Sequence, residues 1–309
     1  MTDTSPRAVA LGYFDGLHRA HMAVLRRTLA AQERGYIPAV LLFDRPPAEV
    51  LRGTAVPRLT TEADRRARLS DMGFTLIDES FERIRALSPA AFVQGYLKKE
   101  LNAAEVVCGY NYTFGAGGRG DADLLKTLCA ENGIAVSVCP PLRFRGEDIS
   151  ASRIRRAVIS GDMEEAVEML GAPLSFTAPV FHGDGRGRGL NAPTANQFLP
   201  DGFIVPKYGV YASLVRFDGQ TFPAVTNVGV RPTFHGDSLR CETHIMGFSG
   251  SLYDRPVELG LVAFLRPEQV FPDAAALSRQ IEADRAAALK ALRGRFPTSV
   301  ADLHNNSET

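Results

Sequence analysis

The chain has 309 residues, enough for two domains, and its composition of 45% hydrophobic and 23% charged residues is ordinary for a globular protein. Lys plus Arg and Asp plus Glu number 35 each, so the formal net charge is zero, which argues against a nucleic-acid-binding protein because such proteins usually carry a basic excess. No apolar run approaches the roughly 20 residues of a membrane span, the polar segment 1–7 does not resemble a signal peptide, and the four cysteines form no CxxC pair, so the sequence predicts a cytoplasmic protein.

The first half of the chain alternates between strand and helix patterns. Predicted strands are short apolar runs, and predicted helices end at glycines or begin at capping residues such as Ser88, which precedes a proline. The predicted strands are 8–14, 36–43, 74–78, 105–108 and 134–139, and the predicted helices are 18–34, 61–72, 88–101 and 121–132. This alternation predicts a Rossmann-like parallel sheet connected by crossover helices.

The second half changes pattern after a short helix that ends at Gly171. Five strand-like runs follow, separated by Gly, Pro and Asp turns: 176–182, 207–216, 221–230, 239–248 and 256–264. They predict an antiparallel barrel. Asp273 is expected to cap a final helix that buries a stripe of four residues: Leu277, Ile281, Leu289 and Leu292. The expected domains are therefore 1–172, an α/β domain, and 173–309, a β domain ending in a helix.

A glycine-rich turn, Gly12 to Gly16, lies between the first predicted strand and the first predicted helix. In an open parallel sheet, ligands bind at the carboxyl ends of the strands, and a helix N-terminus there offers free N–H groups to phosphates. His18 and His21 follow on the first helical turn, where they could donate hydrogen bonds to a phosphate as charge develops. Two solvated histidines are the alternative, and zinc binding is disfavoured because no further His or Cys lies nearby.

The motif G-x-F-D-G-x-H-x-x-H resembles the nucleotidylyltransferase signature in the form carried by bacterial bifunctional riboflavin kinase/FAD synthetases. Segments 109–115 (GYNYTFG) and 149–155 (ISASRIR) resemble two further motifs of that family, in the same order. The resemblance implies that His18, His21 and Arg155 act in adenylyl transfer. It implies phosphate contacts at the loop and at the start of the later helix, namely Gly12, Phe14, Asp15, Gly16, Ser150 and Ser152. It implies a flavin or nucleotide site at Asn111, Tyr112 and Phe114.

This chain departs from the family pattern at a few positions of the first half. Ala20 stands where the family has glycine between the histidines, and Ala151 and Ser152 replace Ser and Thr. The turn at 43–47 (FDRPP) lacks the histidine of the family's Pro-His-Pro turn. The departures leave His18, His21 and Arg155 in place, and they predict slower adenylylation.

A second glycine-rich loop, 182–190 (HGDGRGRGL), precedes the segment Pro193-Thr194-Ala195-Asn196. Such a loop can approach phosphates closely, although no Walker A lysine follows. Thr194 and Asn196 offer neutral oxygens, and Mg²⁺ on ATP takes few protein ligands. The loop with PTAN resembles the riboflavin-kinase signature, as do segments 227–234 (NVGVRPTF) and 242–245 (ETHI). The resemblance implies Glu242 as general base for the riboflavin hydroxyl. It also implies phosphate contacts at the loop and a flavin contact on the following strands, namely Gly183, Gly185, Gly187, Arg188 and Arg231.

Taken together, the motifs predict an enzyme that phosphorylates riboflavin to FMN and adenylylates FMN to FAD, with Mg²⁺ and ATP. The expected partners are these small molecules, with no nucleic acid and no membrane; transient self-association is left open. Three alternatives remain at this point: an adenylyltransferase for another cofactor, a non-catalytic nucleotide-binding protein, and a riboflavin kinase whose first half is impaired. An adenylyltransferase for another cofactor would not explain the PTAN segment and the predicted barrel. A non-catalytic nucleotide-binding protein would be expected to lose His18, His21 and Glu242, which are present.

Overall fold

The computed structural model describes residues 5–181, 194–233 and 236–295, with the side chains of 231–238 left undescribed. The chain divides into two compact units. The first unit comprises the residues up to Val56 together with Glu62–Ala151, and the second comprises Pro57–Thr61 and the residues from Ser152 onward. The functional boundary expected at 172/173 stays a prediction. Within the described residues, no helix is both long and apolar enough to span a membrane.

The first unit is built on a five-stranded parallel sheet, which confirms the predicted fold. Its strands are β1 (Arg7–Leu11), β2 (Ile37–Phe43), β3 (Thr75–Glu79), β4 (Ala103–Gly109) and β5 (Ala135–Cys139). They lie in the order β3-β2-β1-β4-β5. In this order the chain winds outward from β1 in both directions, so the crevice between β1 and β4 is the topological switch point where ligands bind in doubly wound sheets. A two-stranded hairpin, β6 (Arg143–Phe144) and β7 (Glu147–Asp148), follows β5.

Helices connect these strands; those predicted at 18–34, 61–72, 88–101 and 121–132 are present, whereas the two at 47–52 and 81–86 were not predicted from the sequence. The helices are α1 (Arg19–Leu29), α2 (Pro47–Arg52), α3 (Glu62–Asp71), α4 (Phe81–Ala86), α5 (Pro89–Ala91) and α6 (Ala122–Glu131). The Ser88 hydroxyl accepts from the Ala91 N–H, as expected for an N-cap. Beyond α5, residues Phe92–Glu100 continue as a π-helix. The periodicity of apolar residues in the sequence does not distinguish a π-helix from an α-helix.

Apolar side chains cover both faces of the parallel sheet. Val9 and Leu11 of β1 pack on one face with Leu41 and Val106, and Ala10 packs on the other with the residues of a second cluster. Strands buried on both faces read as continuous apolar runs, which is why β1 and β2 were recognisable in the sequence. The core therefore packs on both faces of the strands whose ends form the switch point.

The second unit contains two helices, a curled antiparallel sheet and a final helix. The helices are α7 (Ala151–Ser160), α8 (Met163–Leu170) and α9 (Ala274–Leu292). The strands are β8 (Leu174–Pro179), β9 (Thr194–Phe198), β10 (Gly209–Phe217), β11 (Gln220–Thr233), β12 (Gly236–Ile245) and β13 (Pro256–Arg266), in the order β8-β13-β10-β11-β12-β9. The antiparallel architecture was predicted, whereas β9, which carries Thr194 and Asn196, was not identified as a strand from the sequence.

Side-chain and backbone hydrogen bonds join the two edge strands of this sheet, β8 and β9. Gln197 of β9 is 1% exposed and donates to the carbonyls of Ala178 (2.7 Å) and Val257 (2.9 Å). The backbone N–H of Phe181, just after β8, donates to the carbonyl of Asn196 (2.9 Å). The first and last strands of the sheet order are thus linked, and the sheet curls into a half-barrel.

The final helix is capped as predicted, because the Asp273 carboxylate accepts from the Ala276 N–H at 2.7 Å. Its buried face differs from the predicted stripe, since Asp284, Ala288 and Leu292 are buried whereas Leu289 is 42% exposed. Arg266 of β13 explains the difference: its guanidinium donates to both oxygens of Asp284, at 2.9 and 2.7 Å. A buried carboxylate requires such a partner, and apolar periodicity cannot reveal it.

Candidate functional site

A pocket of about 620 Å³ lies at the switch point of the first unit. The pocket is lined by residues at or just after the strand ends: Leu11 and Gly12 at β1, Gly109 and Asn111 at β4, and Cys139 at β5. Parallel strands present their carboxyl ends at one edge of the sheet, which explains why segments far apart in sequence meet here. The pocket is large enough for nucleotide-sized ligands.

The loop from Gly12 to Leu17 holds a backbone that few residues adopt. Phe14 (φ 58°) and Leu17 (φ 45°) have positive φ, as does Gly16 (φ 75°). The Phe14 ring turns back over Gly12, where an added Cβ would lie only 3.0 Å from the ring. Gly12 is therefore needed for this close approach, and the loop stores strain of a kind that is common at ligand-binding sites.

The two predicted histidines lie together at the end of this loop. His18 is the N-cap of α1, and its Nδ1 accepts from the His21 N–H at 3.3 Å. Since Nδ1 is an acceptor, a neutral His18 carries its proton on Nε2. The rings of His18 and His21 stack with centroids 3.5 Å apart, and the Phe14 ring meets His21 edge-on at 5.3 Å.

The His21 side chain is neutral at physiological pH. Burial lowers its pKa well below the usual value of 6.5, and the neighbouring charges of His18 and Arg65 lower the pKa further. Its Nδ1 is buried and has no hydrogen-bond partner among the residues that the structure describes. A buried polar nitrogen without a partner is costly unless a ligand supplies one. His21 therefore adds no positive charge of its own to the pocket.

The other predicted residues of the first unit are partly gathered here. Asn111, Tyr112 and Phe114 line the pocket, with the Tyr112 and Phe114 rings parallel and 6.1 Å apart. Ser150 also lines it, at the residue before α7. Ala20 lines it too, so the methyl group that replaces the family's glycine faces the ligand space.

Four other predicted site residues, Asp15, Gly16, Ser152 and Arg155, are not among the residues that line the pocket. Asp15 and Gly16 are buried within the loop, which suits a carboxylate that would repel phosphate. Ser152 is exposed on α7, in the second unit. Arg155 also belongs to the second unit, and its Nε donates to the Pro57 carbonyl at 2.6 Å. The roles of these residues stay predictions.

The structure also brings residues to the site that sequence reasoning missed. Leu51, Ile84 and Arg85, on α2 and α4, line the pocket. Arg65 of α3 is 2% exposed and contacts the loop from behind. No local motif marks these residues, although an arginine inside a predicted helix next to apolar positions is a weak signal for a buried charge.

In the second unit, three residues of the riboflavin-kinase-like motifs lie directly opposite one another on adjacent strands. Glu242 of β12 pairs with Asn196 of β9 on one side and with Asn227 of β11 on the other. Directly opposed residues lie on the same face of a sheet, so the three side chains are neighbours. Asn196 is 7% exposed, and Thr194, two residues earlier on β9, lies on the same face.

The glycine-rich loop residues Gly183, Gly185, Gly187 and Arg188 lie outside the described residues. The backbone of Arg231 pairs with Ser238, but its side chain is among those left undescribed. These assignments therefore stay predictions.

Comparison with known proteins places both halves in one family. The FAD synthetase family model matches residues 1–153, and the riboflavin kinase family model matches residues 170–292. The bifunctional riboflavin kinase/FMN adenylyltransferase of Listeria monocytogenes is 34% identical over 285 residues, and that of Pseudomonas fluorescens is 35% identical over 282 residues, each covering 90% of both chains. A solved structure from Streptococcus pneumoniae, described as a macrolide-efflux protein, is similar with a TM-score of 0.80 and 32% identity, covering 92% of this chain and 94% of that one. The chain belongs to the bifunctional riboflavin kinase/FMN adenylyltransferase family.

Proposed function

We propose that this chain performs two consecutive reactions: it phosphorylates riboflavin to FMN in the second unit and adenylylates FMN to FAD in the first. Family membership over 90% of the chain supports both activities. The observation that carries the first-unit assignment is the stacked histidine pair at the switch-point pocket. The pair would supply hydrogen-bond donors to the departing pyrophosphate.

In adenylyl transfer, an FMN phosphate oxygen attacks the α-phosphorus of ATP, and the bond to the departing pyrophosphate breaks. Negative charge grows on the leaving oxygens, and preorganised N–H donors stabilise it. We assign this role to His18 through Nε2 and to His21. The N-terminal amides of α1 add the positive end of the helix dipole. Asn111, Tyr112 and Phe114 would hold the flavin or the nucleotide on the opposite wall.

In phosphoryl transfer, Glu242 would accept the proton of the riboflavin 5′-hydroxyl as that oxygen attacks the γ-phosphorus of ATP. Phosphoryl transfer depends mainly on positioning and charge neutralisation, with one carboxylate orienting the nucleophile. The predicted phosphate contacts Gly183, Gly185, Gly187 and Arg188 belong to the same proposal. Glu242 is half-buried and pairs with Asn196, so the proposed base would lie next to the proposed cation ligand.

Thr194 and Asn196 fit a magnesium ion held together with nucleotide phosphates. Asn196 directs Nδ2 toward the Thr194 carbonyl at 3.4 Å, and its amide oxygen is the atom suited to a hard cation. Mg²⁺ would neutralise phosphate charge when bound. Within the described residues, no cluster of three or more His, Cys, Asp and Glu side chains offers a cation cage, which is consistent with a site completed by ATP.

The experiment that tests the proposal incubates the pure protein with riboflavin and Mg-ATP and separates FMN from FAD over time. We expect FMN to appear first and FAD to follow. Accumulation of FMN alone would favour a kinase with an impaired first unit, an alternative that the family match of both halves does not favour. Absence of both products would refute the proposed function.

We further propose a cytoplasmic enzyme whose partners are these small molecules. All four cysteines are free, which fits a reducing compartment. The zero net charge gives no electrostatic basis for nucleic-acid binding. Self-association stays open, and sedimentation of the protein with and without ATP would measure it.

A further inference from the structure

Arg65 is an arginine buried behind the pocket of the first unit. It is 2% exposed and belongs to α3. Its Nη1 donates to the Tyr13 carbonyl at 2.7 Å, and its Nη2 donates to Glu62 at 2.6 Å. The guanidinium also lies 4.3 Å from the centroid of the Tyr13 ring. Since a buried arginine is costly unless its donors are satisfied, these contacts define one orientation of the group.

The contact partner Tyr13 belongs to the strained loop. Tyr13 and the next residue, Phe14, line the pocket, whereas Arg65 is not among the lining residues. By holding the Tyr13 carbonyl from behind, Arg65 favours a loop conformation whose next residue has φ 58°. Such a conformation persists only where surrounding contacts stabilise it.

The charge of Arg65 matters as well as its geometry. A nucleoside triphosphate requires positive charge near its site; Arg85 lines the pocket, whereas His21 is neutral and stacked on His18. The groups whose charges act on His21 are His18 and Arg65, and both lower its pKa. Glu62, the carboxylate partner of Arg65, has a side chain that is 41% exposed, so solvent screens part of its negative charge.

We propose that Arg65 is a positioning residue for adenylyl transfer: it holds the Gly12–Leu17 loop in its ligand-binding conformation and supplies a fixed positive charge behind the pocket that His18 and His21 line. This rests on the proposed function of the first unit. A buried arginine that only stabilises the fold is the competing explanation. The two differ in what they predict for a folded variant.

The test compares Arg65→Lys and Arg65→Met with the control Arg66→Met. Arg66 is the next residue on the same helix, carries the same charge and is 38% exposed, with Asp78 as its partner. Three quantities are measured on the full chain: FAD formation from FMN as a function of ATP, ATP affinity by calorimetry, and the NMR titration of the His21 ring. Riboflavin phosphorylation serves as the control for folding, because Arg65 lies in the other unit.

For Arg65→Met we expect kcat/KM for ATP to fall by about 10²-fold, the effect of misplacing a reacting group by about 1 Å. We also expect the His21 titration to move upward, because a cation that disfavours its protonation has been removed. Arg65→Lys should keep the His21 titration near wild type and lose part of the rate, since one ammonium group cannot reproduce the forked contacts. Arg66→Met should change neither quantity.

The proposal is overturned if a folded Arg65→Met variant matches Arg66→Met in ATP kinetics, or if its rate falls while ATP affinity and the His21 titration stay unchanged. If Arg65→Met does not fold, Arg65→Lys decides: wild-type FAD kinetics in that variant would mean that the forked geometry does not position the loop. A wild-type protein that makes no FAD would instead refute the proposed function of the first unit. In that case, unchanged ATP affinity in the Arg65 variants would overturn this inference too.

Discussion

The neutral His21 makes the stability of the first unit depend on pH in a defined direction. Burial, the largest cause, lowers the pKa of His21 well below 6.5 in the folded chain, whereas in the unfolded chain the imidazole titrates near 6.5. Below pH 6.5 the unfolded state therefore binds a proton that the folded state does not. The stabilisation is present above pH 6.5 and is lost as the pH falls toward the pKa of the folded state.

The magnitude follows from proton linkage. One proton bound only by the unfolded state changes the free energy of unfolding by about 1.4 kcal/mol for each pH unit. Between pH 7.5 and 5.5 the loss caused by His21 is then at most about 1.4 kcal/mol, because half of that range lies above the pKa of the unfolded state. A loss of this size is a large fraction of the stability of a typical domain.

The assay compares the wild type with His21→Gln, which cannot take up the proton. The chain contains no tryptophan, so urea unfolding of the first unit is followed by the amide NMR signals of β1 and β4. We expect the wild type to lose about 1.4 kcal/mol more than the variant between pH 7.5 and 5.5. FAD formation should likewise show no inflection near pH 6.5 from His21. Equal pH dependence of the two proteins, or a His21 ring that titrates near 6.5, would refute the reasoning.

Four further predictions concern single side chains. Glu242→Gln should reduce FMN formation by about 10²–10⁴-fold while supplied FMN is still converted to FAD, and equal loss of both activities in a folded protein would contradict the division of labour. Asn196→Ala should raise the Mg²⁺ concentration needed for riboflavin phosphorylation; an unchanged titration would remove this residue from the metal site. Ala20→Gly should speed FAD formation by up to about 10²-fold, measured as steady-state turnover of FMN, and no gain would mean that the backbone has adapted to the methyl group. Asp284→Ala should lower the free energy of unfolding of the second unit by about 3–5 kcal/mol in urea titrations, whereas the exposed Glu282→Ala control on the same helix should cost at most about 1 kcal/mol; similar costs would show that the buried ion pair is not what holds α9.

Much of the fold was predictable because its strands are continuous apolar runs and its helices carry local start and stop signals. The run at 36–43 and the cap at Ser88 need no tertiary information to be recognised. The same reasoning missed β9, because Thr194-Ala195-Asn196 lacks the β-branched and aromatic pattern of a strand and is held by its pairing with β12. It also placed Leu289 in the core, where Asp284 lies instead.

By itself the sequence determined the two-part architecture, the histidine pair at the first strand–helix junction and the family to which the motifs belong. Those features are local, because each depends on residues that are close together in the sequence. Only the tertiary structure decided that His21 is buried and neutral, that Arg65 supports the loop from behind, and that Asn196 and Glu242 are direct neighbours. Burial, charge proximity and strand register arise from residues distant in sequence, and no local pattern encodes them.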